Sequence, residues 1–292
     1  MKPLDHFRLA TLRELATLPA VVKTWPTFQA RILKLIGTSP SPTAVFQLGD
    51  HLAQVFQSEK WTRSQSDLSR AGNMWEILIC WYLNLILYGS DAIVMRPSRK
   101  FMPRVIQEAL TVKVLGVATN KEADLVAFSL PTSNLAPNPS RQDIDNEIRA
   151  ATKSCNLTVI QSKTNWNDNA QAPMLWDIVY NAQNLRLPTV AVGESGFSPY
   201  SFQNFSYAFM TVPTNTGGIA SFKPSTTAVV RVRGLSGGNY WGHPSRARVA
   251  DSVSEFLGRN FQSVFTGGVQ NHIANHALSD TRLLRIFTDF QF

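Results

Sequence analysis

Three residues of this 292-residue chain have the types and spacing for hydrolytic chemistry: Asp124 in EADLVAFSL, and Gln161 and Lys163 in LTVIQSK. Both segments alternate as half-buried strands do, which puts Gln161 and Lys163 on one face with Val159 and turns Ile160 and Ser162 to the other. An acid on one strand and an amide and lysine on its neighbour can converge at one edge of a sheet. Asp124 would give a hard divalent cation an anionic oxygen, and Gln161 a weaker, neutral one. Lys163, partly desolvated at the strand end, would orient or deprotonate a water, or stabilise charge in the transition state. A cation held there lowers the pKa of an attacking water and neutralises phosphate oxygens, as phosphodiester hydrolysis requires.

The elements that must position these groups are legible along the chain. Residues 1 to about 70 are expected to be helical, with apolar spacings of three and four in LATLRELATL and TAVFQLGDHLAQVFQ, separated by Ser39, Pro40, Ser41 and Pro42. A third helix is expected from Asn73 to Tyr88, stopped by Gly89, and DAIVMRP follows as a short strand. RVIQEAL predicts a helix, EADLVAFSL a strand with Glu122, Asp124 and Val126 on one face, and DIDNEIRAATK a helix before LTVIQSK. A further helix is expected from Pro173, with Leu175, Ile178, Val179 and Ala182 as its core stripe, then the strand TVAVG. YAFMTVP and TTAVVRVRG are expected strands, and VSEFLGRNFQSVF a late helix. The order predicts an α/β fold with a mixed central sheet flanked by helices, in one continuous domain. A helical region spans 1–72, the core 73–195, and a β-rich region with a C-terminal helix 196–292.

The arrangement resembles the PD-(D/E)XK nuclease superfamily, in particular type II restriction endonucleases. Asp124 in EADLVAF matches the first acid, and Gln161, Ser162 and Lys163 in VIQSK match the second half-motif. Ala123 stands where the pattern has Pro, and Gln161 where it has a second acid. The resemblance covers roughly residues 73 to 193. It implies a restriction-endonuclease-like core that cleaves double-stranded DNA with Mg²⁺, or Mn²⁺ in its place. It also implies a homodimer or higher homo-oligomer acting at a symmetric sequence. Because an amide is a weaker ligand than a carboxylate, a further acid is expected nearby. Glu76, in the apolar helix NMWEILICWYLN, matches the position of a glutamate that often precedes the catalytic strands, and Glu122 is the alternative. The non-catalytic alternative is a DNA-binding protein of the same fold; another substrate would be branched or damaged DNA.

The charge of +8 and pI near 9.7 suit a polyanionic partner. Arg231 and Arg233 would share one face of the expected strand TTAVVRVRG, with Lys223, Tyr240, Trp241, His243, Arg246 and Arg248 around them as a DNA-contact region. Asn165 and Asn167 follow Lys163 in a polar segment suited to supporting the site or touching the DNA backbone. Arg96, Arg99, Lys100 and Arg104 form a second basic cluster, and Lys60, Arg63 and Arg70 a third. Cys80 and Cys155 are the only cysteines, which excludes a disulfide framework and fits a cytoplasmic location. MKPLDHFRLATLREL lacks the apolar run of a secretion signal, and ILICWYLNLILYG is too short to span a membrane. The glycines at 234, 237, 238 and 242 do not match a phosphate loop, and HIANH lacks the glutamate of a zinc protease helix.

Overall fold

A computed structural model of the chain describes residues 1–62, 64–119, 123–164, 179–180, 189–212, 223–235, 238–240, 250–279 and 281–290. The architecture is mixed α/β. Its main sheet contains β1 (Ala92–Met95), β4 (Leu125–Ser129), β5 (Asn156–Lys163), β7 (Asn204–Thr211) and β8 (Gly238–Tyr240), in that spatial order. β4 runs antiparallel to both of its neighbours, β1 and β5, whereas β7 runs parallel to β5, and β8 parallel to β7. β2 (Val112–Val114), β3 (Val117–Thr119) and β6 (Val190–Val192) form a separate small antiparallel sheet.

Helices α1 (Pro3–Ala16), α2 (Pro19–Ile36), α3 (Pro42–Gln47) and α4 (Leu52–Phe56) make the expected helical N-terminal region. α5 (Gln65–Ile86) begins eight residues before Asn73, because the Ser64 hydroxyl accepts from the Asp67 N–H at 3.2 Å and caps a turn that carries no apolar stripe. From Met74 onward α5 is buried nearly all round, since one side lies on the sheet and the other packs against α2 and α4. One core joins these helices to Ala92, Val94, Leu125, Ala127, Ile160 and Ala208. A second core on the opposite sheet face holds Ile93, Val126, Leu157, Val159 and Tyr207 under α6 (Arg104–Leu110) and α7 (Arg141–Ala150).

β1 lies at the sheet's edge, where unpaired backbone groups would be costly inside a core. Asn84, fully buried on α5, closes that edge: its amide donates to Val94 O at 2.6 Å and accepts from Val94 N at 3.2 Å. Arg8 donates to Ala92 O from α1. The polar residue that interrupts the apolar run 77–89 is thus a strand clamp. Among the described residues no helix is long and apolar enough to cross a membrane.

One expected strand is a helix: TTAVVRVRG lies in α8 (Thr227–Leu235). Val229 is buried and Val230 is 56% exposed, and Arg233, four residues after Val229, reaches the buried Asp251 at 2.8 Å. That is the spacing of a helix face, and tertiary pairing overrides the β preference of Val and Thr. The expected β-rich C-terminal region also changes character. Beyond β7, the described residues hold the three-residue β8 and the helices α8, α9 (Val253–Phe261), α10 (Val269–Asn275) and α11 (Thr281–Asp289). The helix expected from Pro173 falls outside the described residues apart from Val179 and Tyr180, which are helical.

Candidate active site

Antiparallel pairing of β4 with β5 puts the start of one strand beside the end of the other. Leu125 pairs with Ile160, so Asp124, one residue before β4, arrives beside Gln161 and Ser162. Three donors converge on one carboxylate oxygen, Asp124 Oδ2. Gln161 Nε2 lies at 2.5 Å, Ser162 N at 2.8 Å and Lys163 Nζ at 3.7 Å. All three meet Oδ2 and not Oδ1. Gln161 is buried at 3% exposure, and its Oε1 accepts from the Tyr207 hydroxyl at 3.3 Å. Lys163 keeps 29% of its side chain exposed, and Asp124 19%. Burial pushes the Asp124 carboxyl up, while the Lys163 charge and the Ser162 N–H oppose the shift.

Glu76 is brought to the same place. It sits on α5, 17% exposed, with its Oε2 at 3.0 Å from Arg96, which also donates to Asn73 Oδ1 at 2.9 Å. Burial first, and then the Asp124 charge, push the Glu76 carboxyl up to about 7 against the opposing Arg96 and Lys163 charges. Because the folded value exceeds the ordinary 4.5, the contribution to stability is fully present below about pH 4.5. It is lost as pH rises to about 7, since the unfolded chain ionises first. Glu76→Gln, with divalent cations chelated, is therefore expected to gain on the parent by about 3 kcal/mol between about pH 4 and pH 8, the opposing Arg96 contact being already contained in the raised value. Urea unfolding at the two pH values measures it, and a pH-independent difference contradicts it.

The donor set suits a hard cation. Asp124 Oδ1, the Gln161 amide oxygen after reorientation, and Glu76 once freed from Arg96 are all oxygen ligands, the set Mg²⁺ and Mn²⁺ prefer. Two further polar atoms lie close by on the strands. Ser162 Oγ and Thr211 Oγ1, the latter in the residue paired with Lys163, are buried without a hydrogen-bond partner among the described residues. No group of three or more His, Cys, Asp or Glu that could hold a metal ion is found among the described residues. These oxygens could hold a divalent cation beside Lys163, where the lysine and Asp124 side chains are 29% and 19% exposed.

The remaining expected residues are distributed differently. Arg233 is anchored to Asp251, which Arg259 also approaches at 3.3 Å, so this arginine has a structural partner. With TTAVVRVRG helical, Arg231 and Arg233 do not share a strand face. Only the backbone is described for Arg231 and Tyr240. Trp241, His243, Arg246, Arg248, Asn165, Asn167, Glu122 and Arg63 lie outside the described residues. In the second basic cluster Lys100 pairs with Glu14 at 2.9 Å while 70% exposed, Arg104 pairs with Glu108 at 3.0 Å, and Arg99 accepts an Arg141 hydrogen bond through its backbone carbonyl.

Sequence reasoning did not pick out Arg96 as the Glu76 partner, nor Tyr207. A cation on the strand's polar edge beside an acidic helix was a usable signal for Arg96. Tyr207 carries none, because its relation to Gln161 exists only through the β5–β7 register. No protein-family model matches this chain, and no curated protein sequence matches it.

Proposed function

We propose that the chain is a Mg²⁺-dependent endonuclease hydrolysing phosphodiester bonds of double-stranded DNA, of the type II restriction kind. The observation that carries this is the convergence of Gln161, Ser162 and Lys163 on Asp124 at one sheet edge, with Glu76 coupled to them. The strand order supports it. Three antiparallel strands preceded by a long helix, followed by a strand parallel to the third, fit the restriction-endonuclease-like core that the sequence resembles. The basic charge of +8 suits a polyanionic substrate.

In this reading Asp124 and Gln161 hold the cation, and Glu76 adds a second carboxylate on leaving Arg96. The bound cation supplies an acidified water and neutralises charge on the phosphate. Lys163, with its Nζ partly exposed, leaves Asp124 Oδ2 to hold and deprotonate that water or to stabilise the pentavalent phosphate's oxygens. Gln161 is 3% exposed, and the lower local dielectric on that side of the carboxylate strengthens each of these interactions. Two strands must be cut, so a homodimer is part of the proposal.

Incubating purified protein with mixed plasmid and phage DNA and Mg²⁺ is expected to give discrete fragments, absent with EDTA and absent for Asp124→Ala. One observation favours a second reading, a non-catalytic DNA-binding protein: both acids already face cationic side chains, Lys163 and Arg96. That reading predicts salt-sensitive DNA retention with no Mg²⁺-dependent product at any protein concentration.

A further inference from the structure

We propose that Tyr207 is a positioning residue for the cation site: its hydroxyl satisfies the outer end of the Gln161 amide in either of two orientations, one facing Asp124 with N–H and one with oxygen. The inference rests on the cation-dependent reading of the site.

An ionised carboxylate only accepts hydrogen bonds. The end of Gln161 that meets Asp124 Oδ2 at 2.5 Å is therefore Nε2, which leaves Oε1 facing Tyr207 Oη at 3.3 Å. In that orientation Gln161 offers no lone pair to a cation beside Asp124. Turning the amide about its terminal bond, a broad two-fold torsion, exchanges the two ends. Oε1 would then face the carboxylate, where the two residues' oxygens could hold a cation, and Nε2 would face Tyr207. The phenol can serve both states because it accepts as well as donates. Gln161 and Tyr207 are 3% and 1% exposed, so bulk water does not take over that duty.

The register explains how Tyr207 reaches its partner. It pairs with Val159 across parallel β5 and β7, on the β5 face that also carries Gln161, and its ring rests against Tyr180 with centroids 6.1 Å apart. A phenyl ring at 207 would keep this packing and remove only the hydroxyl. It would orphan the amide oxygen in one orientation and the amide N–H groups in the other. Buried N–H groups tolerate that less than carbonyls, so the cation-bound orientation loses more.

The test is Mn²⁺ binding followed by electron paramagnetic resonance without DNA, on the parent protein, Tyr207→Phe, Gln161→Glu and the double variant, each checked by thermal unfolding. Tyr207→Phe is expected to weaken Mn²⁺ binding about fivefold when residue 161 is Gln. With Gln161→Glu both carboxylate oxygens are acceptors and no turn is needed, so adding Tyr207→Phe should change affinity less than about twofold. Should Gln161→Glu destabilise the fold, the parent protein and Tyr207→Phe alone still decide, because unchanged Mn²⁺ affinity for Tyr207→Phe contradicts the proposal. Equal weakening in both backgrounds would leave Tyr207 a structural role only and overturn the proposal, as would unchanged affinity for Tyr207→Phe alone. A parent protein that binds no Mn²⁺ dependent on Asp124 would overturn the cation reading and this inference together.

Discussion

Lys163→Ala is expected to lower Mg²⁺-dependent DNA cleavage by about a thousandfold while leaving DNA binding within a few-fold of the parent. Lys163 Nζ lies 3.7 Å from Asp124 Oδ2, and its 29% exposure leaves it accessible to a phosphate. A single positive charge at the reacting phosphate acts mainly on the transition state, so its loss falls on the rate. The fold should survive, because Lys163 ends β5 and its ion pair among the described residues is a 3.7 Å contact with a side chain 29% exposed. Lys163→Arg should restore little, since the planar guanidinium does not place its charge at the same point. Single-turnover cleavage with saturating protein measures the effect. Cleavage by the purified alanine variant at the parent's rate would remove Lys163 from the chemistry.

The largest stability effect is expected from Asp5→Ala, at about 3–5 kcal/mol. Asp5 and Arg8 are both fully buried on α1, where they pair with each other. Asp5 Oδ1 also accepts from Gly89 N at 2.9 Å, and Arg8 reaches the carbonyl of Ala92. The pair therefore ties α1 to the turn after α5 and to the edge strand β1. Removing the carboxylate leaves a guanidinium in the core with no counter-charge, which is worse than removing both. Arg8→Met together with Asp5→Leu is thus expected to recover much of the loss. Urea unfolding of the single and double variants decides it; a loss below about 1 kcal/mol for Asp5→Ala would show that the pair is not sealed from solvent.

Much of this arrangement could be read from one chain because its signals were local. Alternation in LTVIQSK places Gln161 and Lys163 on one face, and RVIQEAL is a helix over the residues expected. Asp124 meets Gln161 because adjacent antiparallel strands bring start to end, a consequence of the strand order alone. The errors arise where distant partners decide. TTAVVRVRG has the residue types of a strand, yet the buried Asp251, eighteen positions after Arg233, rewards a helical face. α5 starts early through a Ser64 and Asp67 cap that lies outside its apolar pattern. Arg96 looked like one member of a basic surface cluster, whereas Glu76 two elements earlier makes it part of the site. Tyr207 required the pairing of β5 with β7, which no local pattern encodes.

The most direct measurement is anomalous diffraction from crystals soaked in Mn²⁺. A peak within ligand distance of Asp124 Oδ1 and the Gln161 amide oxygen, with Lys163 Nζ facing the open side, is the predicted result. Strong Mn²⁺-dependent cleavage by the same protein with the peak at other residues, and none at Asp124, would contradict the account.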